Sequence, residues 1–188
     1  MKFIPKKSLG QNFLIDDKIL NKIIEVSNIN SNDNIIEVGP GKGALTDKIL
    51  KNKPKNITVI EKDERLVDFL SNKFGRNIKI INDDMMNISY ENYTKRNLII
   101  FGNLPYNIST QMLAKLVKIK GIDNFCKRLI LMFQKEVADR IIAKKNTKNY
   151  GRLSILSNWR MQINKVIDIE PSSFDPSPRV RSTLLVLV

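Results

Sequence analysis

Apolar strand patterns alternate with amphipathic helical patterns along most of the chain, and this alternation limits the fold more than any other feature. Seven stretches are typical of strands: NIIEVG, NITVIE, IKIIND, NLIIFGN, RLILMF, QINKVIDI and STLLVLV. Five are typical of helices: GALTDKILKN, DERLVDFLSNKF, STQMLAKLVKI, QKEVADRIIAKK and GRLSILSNW. Strands that alternate with helices form parallel sheets covered on both faces. The sequence therefore predicts an α/β domain with a seven-stranded, mostly parallel sheet.

The composition excludes several classes of protein. No apolar run approaches the roughly 20 residues of a membrane span, and the start MKFIPKK lacks the apolar core of a secretory signal. We therefore expect a cytoplasmic protein without membrane contact. The chain has one cysteine, Cys126, and no histidine. An internal disulfide, a His-based catalytic triad and a Cys/His zinc site are excluded, and we predict no metal.

The charge of the chain indicates a polyanionic partner. Lys and Arg number 32 against 19 Asp and Glu, which gives a net charge of +13. Such an excess favours nucleic acid or a ribosome as the partner. The alternative is compositional: Lys far outnumbers Arg and Asn and Ile are abundant, a bias that AT-rich coding produces without any binding role.

Three consecutive strands end in groups that suit a nucleotide-like ligand. The first runs into Gly39, Gly41 and Gly43, and glycines allow the backbone to turn sharply and approach a ligand closely. The second ends in Glu61, about 20 residues further on, where an acid accepts ribose hydroxyls. The third is followed by Asp83 and Asp84. Carboxylates suit an adenosyl group without phosphate, so S-adenosylmethionine, a sulfonium cation, fits better than NAD. The alternative for each acid alone is a solvated strand end.

The fourth strand ends in Asn103-Leu104-Pro105-Tyr106. Pro105 stiffens the turn, and a stiff turn can direct carbonyl groups. If the Asn103 side-chain oxygen and the Leu104 carbonyl accept the two N–H bonds of an adenine amine, its lone pair is turned toward an electrophilic methyl. Tyr106 can stack on a base swung out of its helix. The alternative is an asparagine-capped turn with Tyr106 in the core.

The chain resembles the ribosomal RNA adenine dimethyltransferases, most closely the branch that dimethylates two adjacent adenines near the 3′ end of small-subunit RNA. The matching segments are KSLGQNFL, EVGPGKGALT, VIEKD, NDDMM, GNLPYNIST, FQKEVADRI, YGRLS and FDPSPRVRS. The resemblance implies a Rossmann-like class I methyltransferase that uses S-adenosylmethionine. It also implies small-subunit rRNA as the partner, and we expect a monomer.

Site residues follow from the resemblance. It implies cofactor binding by Gln11, Asn12, Leu14, Gly39, Gly41, Glu61, Asp84 and Asn103. The catalytic motif is matched by Asn103, Leu104, Pro105 and Tyr106, and Phe174 matches an aromatic expected to pack on the target base. Contacts with RNA phosphates are expected from Lys6, Lys7, Arg152, Arg179 and Arg181. The alternative for Gln11 and Asn12 is an N-terminal flap over the core, and the alternative for Phe174 is the anchor of a loop. Each of the five cations could instead be a solvated surface charge.

One departure from the family's pattern concerns length. Members of the family usually continue into a smaller helical domain, whereas this sequence stops at Val188, so we expect residues 1–188 to be the methyltransferase domain alone. Three other functions stay open: a large-subunit rRNA dimethyltransferase, a DNA adenine methyltransferase, and a ribosome-assembly or transcription factor that keeps the fold without catalysis.

Overall fold

The computed structural model describes residues 4–90 and 97–188. Its strands are β1 (Phe13–Leu14), β2 (Asn34–Val38), β3 (Asn56–Glu61), β4 (Lys79–Asn82), β5 (Leu98–Asn103), β6 (Cys126–Gln134), β7 (Ile163–Ile169), β8 (Phe174–Asp175) and β9 (Ser182–Leu187). Its helices are α1 (Asp17–Ser27), α2 (Ala44–Lys51), α3 (Glu64–Phe74), α4 (Ser109–Val117), α5 (Ile122–Phe125), α6 (Lys135–Ile141) and α7 (Arg152–Asn158).

The main sheet has seven strands in the order β4-β3-β2-β5-β6-β9-β7. The five strands from β4 to β6 run parallel, while β9 lies antiparallel between β6 and β7. Antiparallel neighbours need no crossover helix, and residues 170–181 alone connect β7 to β9. The predicted seven-stranded, mostly parallel sheet is confirmed.

Helices cover both faces of the sheet, as predicted. Successive side chains of a strand point to opposite faces. On β5, Leu98 and Ile100 therefore join one buried cluster, with side chains from α4 and α6, whereas Ile99 and Phe101 join a second cluster, with side chains from α1, α2 and α3. This double cover explains why β5 is apolar until its last residues.

The sequence did not predict helices α1 and α5 or the short strands β1 and β8. Helix α1 begins after Asp16, whose side chain accepts hydrogen bonds from the backbone N–H groups of Lys18 and Ile19. Its N-cap and its apolar spacing are visible in the sequence and could have predicted it. Strands β1 and β8 form a separate two-stranded sheet in which Leu14 pairs with Phe174. Two-residue strands so far apart in the chain carry no periodic signal.

Within the described ranges, no helix combines the length and the apolar character that a membrane crossing requires. Cys126 is buried, and burial raises the pKa of its thiol to about 12. The thiol is therefore an unreactive part of the core.

Candidate cofactor and catalytic site

A cavity of about 420 Å³ lies where the parallel strands β2, β3, β4 and β5 end. Ligands bind at this edge in open α/β sheets. All eight residues that the sequence assigned to the cofactor line this one cavity: Gln11, Asn12, Leu14, Gly39, Gly41, Glu61, Asp84 and Asn103. The structure therefore brings the predicted set together, although their contacts with a cofactor stay a prediction.

The glycine loop between β2 and α2 is packed too closely for side chains. Gly41 has φ +57°, and a Cβ added there would lie 2.7 Å from the ring of Phe13. Lys42 places its ammonium group 4.8 Å from the centre of the same ring. Phe13 thus closes one side of the cavity over the glycine loop, a role that the sequence did not reveal.

Glu61 is fixed at the end of β3 by backbone amides. Its Oε2 accepts from the Gly41 N–H at 3.3 Å and its Oε1 accepts from the Asp63 N–H at 2.9 Å. The side chain is buried, and burial raises the pKa of this carboxyl while the backbone hydrogen bonds act against the rise. The backbone therefore sets the orientation of the acid that we expect to meet a ribose.

A second carboxyl, Glu37 on β2, also lines the cavity and was not singled out from the sequence. It is 3% exposed, and its Oε2 accepts from the Thr46 hydroxyl at 2.6 Å. Burial raises the pKa of Glu37 to about 7. An acidic residue in the middle of a buried strand was the available signal, since such a group is rarely buried without a role.

The acids after β4 are held by a lysine and by the backbone. Asp84 accepts from Lys62 Nζ at 2.8 Å and from the Met86 N–H at 2.8 Å, and the lysine lowers the pKa of Asp84. Asp83 accepts from the Asp84 N–H at 2.6 Å and from the Asn87 side chain at 2.9 Å. An adenine edge that meets Asp84 therefore shares Oδ2 with Lys62 or Oδ1 with the Met86 N–H.

The charge of the cavity is opposite to that of the chain. Its lining includes four acids, Glu37, Glu61, Asp83 and Asp84, and two cations, Lys42 and Lys62. Both cations are paired, Lys62 with Asp84 at 2.8 Å and Lys42 with Asp175 at 3.7 Å. An excess of carboxylates favours a positively charged ligand.

The side-chain amide of Asn103, which the sequence predicts to be catalytic, is oriented by the N-terminal segment, residues 4–12. Asn103 Nδ2 donates to the backbone carbonyl of Asn12 at 2.9 Å. This bond fixes which way the amide faces, and its oxygen is the atom of the side chain that can accept from a substrate. Pro105 also lines the cavity, and a Cβ added at Gly10 would lie 3.3 Å from its ring.

Three residues of the predicted catalytic set do not line the cavity. Leu104 is buried in the core beneath it, so only its backbone is a candidate for substrate contact. Tyr106 is half-buried, and its hydroxyl lies 2.8 Å from Ser182 Oγ on β9. Phe174 is 2% exposed and packs in the cluster that contains Leu14. Base packing by Phe174 stays a prediction, and it requires the small β1–β8 sheet to move.

Gln11 and Lys6 are held by Asp63, the residue that caps α3. Gln11 Nε2 donates to Asp63 Oδ2 at 3.0 Å and Lys6 Nζ donates to Asp63 Oδ1 at 3.1 Å. Arg65 donates to both oxygens of the same carboxylate, and this guanidinium is the largest cause that holds the pKa of Asp63 well below its usual range. Gln11 and Lys6 were assigned to cofactor and RNA, yet their polar groups here meet Asp63.

The other residues expected to contact RNA differ in exposure and pairing. Arg152, at the start of α7, and Arg179 are exposed and form no salt bridge within residues 4–90 and 97–188. Arg181 is paired with Glu170 at 2.9 Å. The side chain of Lys7 lies outside the part of the chain that the structure describes. In the described ranges, no three His, Cys, Asp or Glu side chains come together as a metal site.

Comparison with known proteins places the chain in a family. The model of the family Ribosomal RNA adenine dimethylase matches residues 3–188. The Ribosomal RNA small subunit methyltransferase A of Pelagibacter ubique is 52% identical over 181 residues, which cover 96% of this chain and 69% of that protein. The chain thus spans about two thirds of the length of this relative.

Solved structures agree with the family match. A dimethyladenosine transferase from Plasmodium falciparum superposes with a TM-score of 0.84 and is 31% identical, over 94% of this chain and 62% of that one. The 23S rRNA methyltransferase ErmE superposes with a TM-score of 0.76 and is 26% identical, over 94% of this chain and 69% of that one. The chain therefore belongs to the ribosomal RNA adenine dimethylase family and has the Rossmann-like fold of class I methyltransferases.

Proposed function

We propose that this protein transfers methyl groups from S-adenosylmethionine to the N6 atoms of two adjacent adenines near the 3′ end of small-subunit rRNA. The observation that carries the proposal is the orientation of Asn103, whose amide nitrogen is tied to Asn12 beside a carboxylate-rich cavity. Residues 1–188 hold the methyltransferase chemistry in this proposal, and the protein acts in the cytoplasm as a monomer.

The residues around the cavity fit S-adenosylmethionine. A volume of about 420 Å³ lies in the range of small-molecule sites. The acids Glu61 and Asp84, which follow successive strands, suit a ribose and a base, and Phe13 gives the cavity an apolar side over the glycine loop. When bound, this cofactor supplies an electrophilic methyl group on a sulfonium centre.

The catalytic work of the chain is to orient the target amine. The exocyclic nitrogen of adenine is a poor nucleophile because its lone pair is delocalised into the ring. The Asn103 side-chain oxygen and the Leu104 carbonyl accept its two N–H bonds and turn the lone pair toward the methyl group. The proton that the product amine loses leaves to water, so the absence of histidine from the chain is consistent with this chemistry.

Tyr106 supports the target base in this proposal. Its hydroxyl is held by Ser182 on β9, which limits the rotation of the ring. An adenine taken out of its helix stacks on an aromatic ring presented in this way. Ser182 therefore assists the reaction by orienting Tyr106.

An RNA partner is supported by residues 140–167, which we call the basic stretch. It contains no Asp or Glu and seven cations: Arg140, Lys144, Lys145, Lys148, Arg152, Arg160 and Lys165. Among the described residues, Lys165 alone of these seven forms a salt bridge. The stretch also exposes Tyr150 and Trp159, which is 63% exposed and carries the Arg160 guanidinium 4.5 Å from its ring. Unpaired cations beside exposed aromatics are typical of RNA-binding surfaces.

The small subunit is favoured over the large subunit by the similarities. The Pelagibacter protein, whose name refers to the small subunit, is 52% identical, whereas ErmE, whose name refers to 23S rRNA, is 26% identical. A catalytically silent assembly factor is the remaining candidate. The complete Asn103–Tyr106 motif and the fixed Glu61 argue against it, because a binding protein needs neither.

The experiment is transfer of tritiated methyl groups from S-adenosylmethionine to small ribosomal subunits that lack the modification, followed by mapping of the labelled bases. We expect dimethyladenine at two adjacent positions near the 3′ end. Label on large subunits alone would contradict the proposal in favour of the large-subunit branch. Cofactor binding without transfer to either subunit would favour the silent factor.

A further inference from the structure

Asp63 is a buried carboxylate for which neither the sequence motifs nor the proposed chemistry has a use. It is 1% exposed and lies two residues after Glu61, yet it does not line the cavity. One hydrogen bond, from the Arg65 N–H at 3.3 Å, is the ordinary cap of α3. The other bonds to its two oxygens come from side chains, and two of these side chains belong to the N-terminal segment.

The N-terminal segment meets Asp63 and Arg65 through three connections. Lys6 and Gln11 donate to Asp63, and the Gln11 side-chain oxygen Oε1 accepts from the Lys6 backbone N–H at 2.7 Å, which closes a loop around the carboxylate. Arg65 donates to Asp63 with Nε at 3.0 Å and Nη2 at 2.6 Å, and its Nη1 reaches the Ile4 carbonyl at 3.4 Å. Charge-assisted bonds of this kind are about twice as strong as neutral ones.

The segment that these bonds hold bears directly on the reaction. Ser8, Leu9, Gly10, Gln11 and Asn12 all line the cavity. The carbonyl of Asn12 then fixes the amide of Asn103. A short continuous path therefore joins Asp63 to the catalytic amide: the carboxylate holds Gln11, and the next residue in the chain orients Asn103.

We propose that Asp63 is a positioning residue that holds the N-terminal segment over the cofactor cavity and, through Asn12, sets the orientation of Asn103. Its part in methyl transfer rests on the proposed function, whereas its part in holding the segment does not. The carboxylate acts through Gln11 and Lys6 and touches neither cofactor nor substrate. The charge is essential in this role because one carboxylate takes bonds from three side chains, more than a neutral amide can accept.

The test compares Asp63→Asn with Asp68→Asn. Asp68 lies exposed on α3, so its replacement removes the same charge nearby without touching the N-terminal segment. Hydrogen exchange of the peptide spanning residues 4–14 measures how firmly the segment is held in the free protein. Calorimetry measures the affinity of the cavity for S-adenosylmethionine. We expect Asp63→Asn to speed exchange of this peptide on the order of tenfold and to weaken cofactor binding about tenfold, with Asp68→Asn like the wild type.

Two further variants keep the test decisive if Asp63→Asn unfolds. Lys6→Met and Gln11→Leu remove donors from the segment and leave the cap of α3 in place. We expect each to speed exchange of the peptide and to weaken cofactor binding, and unchanged exchange in both Lys6→Met and Gln11→Leu would overturn the proposal. Where Asp63→Asn folds, we also expect the Gln11→Leu effect to shrink in that background, since both act through one contact, and full additivity of the two changes would overturn the proposal.

The catalytic part has its own readout. Released orientation of Asn103 lowers kcat for methyl transfer in Asp63→Asn even at saturating cofactor, whereas a defect confined to the cavity raises KM alone. A wild-type protein that transfers no methyl group contradicts the proposed function but leaves exchange and calorimetry to decide the role of Asp63. Faster exchange with unchanged kcat and unchanged cofactor affinity would overturn the positioning role.

Discussion

The cofactor cavity and the basic stretch carry opposite charge, and they differ in how firmly hydrogen bonds and salt bridges fix their charged side chains. Four carboxylates line the cavity of a chain whose net charge is +13. Each of them accepts at least one hydrogen bond from a backbone N–H or a hydroxyl. The basic stretch has seven cations and no acid, and six of the cations form no salt bridge in the described ranges.

The difference is the one expected from what each region binds in the proposed function. A small cation is bound by charges that are fixed before it arrives, because reorienting them costs free energy. RNA presents a row of phosphates, which long and mobile side chains meet without a fixed geometry. The same chain therefore separates its charges by burial: the acids lie at or near the ends of the parallel strands, and most of the cations lie on exposed loops and helices.

The largest effect is expected from Asn103→Ala, which separates chemistry from both kinds of binding. Loss of the acceptor oxygen leaves the target amine unoriented, so methyl transfer to small subunits falls about 100-fold or more. RNA affinity stays unchanged because the basic stretch is intact. A single-turnover assay measures the rate of methyl transfer, and a filter-binding assay measures the RNA affinity. Asn124→Ala, which removes the same side chain at an exposed position on α5, is the control. Near-normal methyl transfer by Asn103→Ala would contradict the role of its amide.

The pH dependence of stability tests whether burying an acid in the cavity destabilises the folded protein. The pKa of Glu37 is about 7 in the folded protein against 4.5 as its ordinary value, and burial is the main cause. Between these pH values the folded state binds more protons than the unfolded state, so stability falls as pH rises. The penalty is complete above pH 7, at about 3 kcal/mol. The hydrogen bond from Thr46 lowers this pKa, Glu61 and Asp47 raise it further, and Lys73 lowers it.

Glu37→Gln removes that penalty, since its carbonyl oxygen still accepts from Thr46. Urea unfolding should show the variant more stable than the wild type at pH 8 and equal to it at pH 4. Glu64→Gln, an exposed replacement on α3, should leave the pH profile unchanged. Equal stability of Glu37→Gln and wild type at pH 8 would show that the buried acid is not penalised.

A smaller effect is expected from Glu61→Ala, which alters the lining of the cavity and leaves the basic stretch unchanged. Loss of a carboxylate that binds ribose hydroxyls should weaken S-adenosylmethionine binding about tenfold. RNA affinity should not change. Calorimetry with the cofactor measures the first, and Glu64→Ala is the matched control. Unchanged cofactor affinity would remove the ribose assignment.

The smallest effect is expected from Arg152→Ala, which tests the basic stretch itself. One phosphate contact fewer should reduce the slope of log K against log salt by about 1 and lower RNA affinity a few-fold. Arg76→Ala removes the same charge outside the stretch, in the turn after α3. Equal effects of the two changes would mean that RNA affinity depends on the overall charge of the protein alone. The basic stretch would then have no special part in RNA binding.

Much of the site could be predicted because of how parallel sheets are built. The sequence places the glycine loop, Glu61, Asp84 and Asn103 directly after successive strands, and in a parallel sheet all those ends meet at one edge. The main strands and helices were equally accessible, since their apolar periods are regular. Glu37 and α1 were missed although the sequence carries a signal for both.

Long-range contacts could not be predicted. Asp63 meets Lys6 and Gln11 across more than 50 residues, and Tyr106 meets Ser182 across 76. Phe174 was assigned to the target base, yet it lies buried in the core beside Leu14, because its two-residue strand pairs across the small sheet. No local pattern encodes such a pairing.

The sequence by itself determined the order of the main strands and helices, the edge of the sheet where a ligand is expected and the chemical types gathered there. The tertiary structure alone decided which polar atoms are already engaged at that edge: the nitrogen of Asn103 by Asn12, the oxygens of Glu61 by backbone N–H groups and the side-chain amide of Gln11 by Asp63. Periodicity and strand ends are local properties of a chain, whereas the availability of a polar atom depends on every neighbour that packing brings to it.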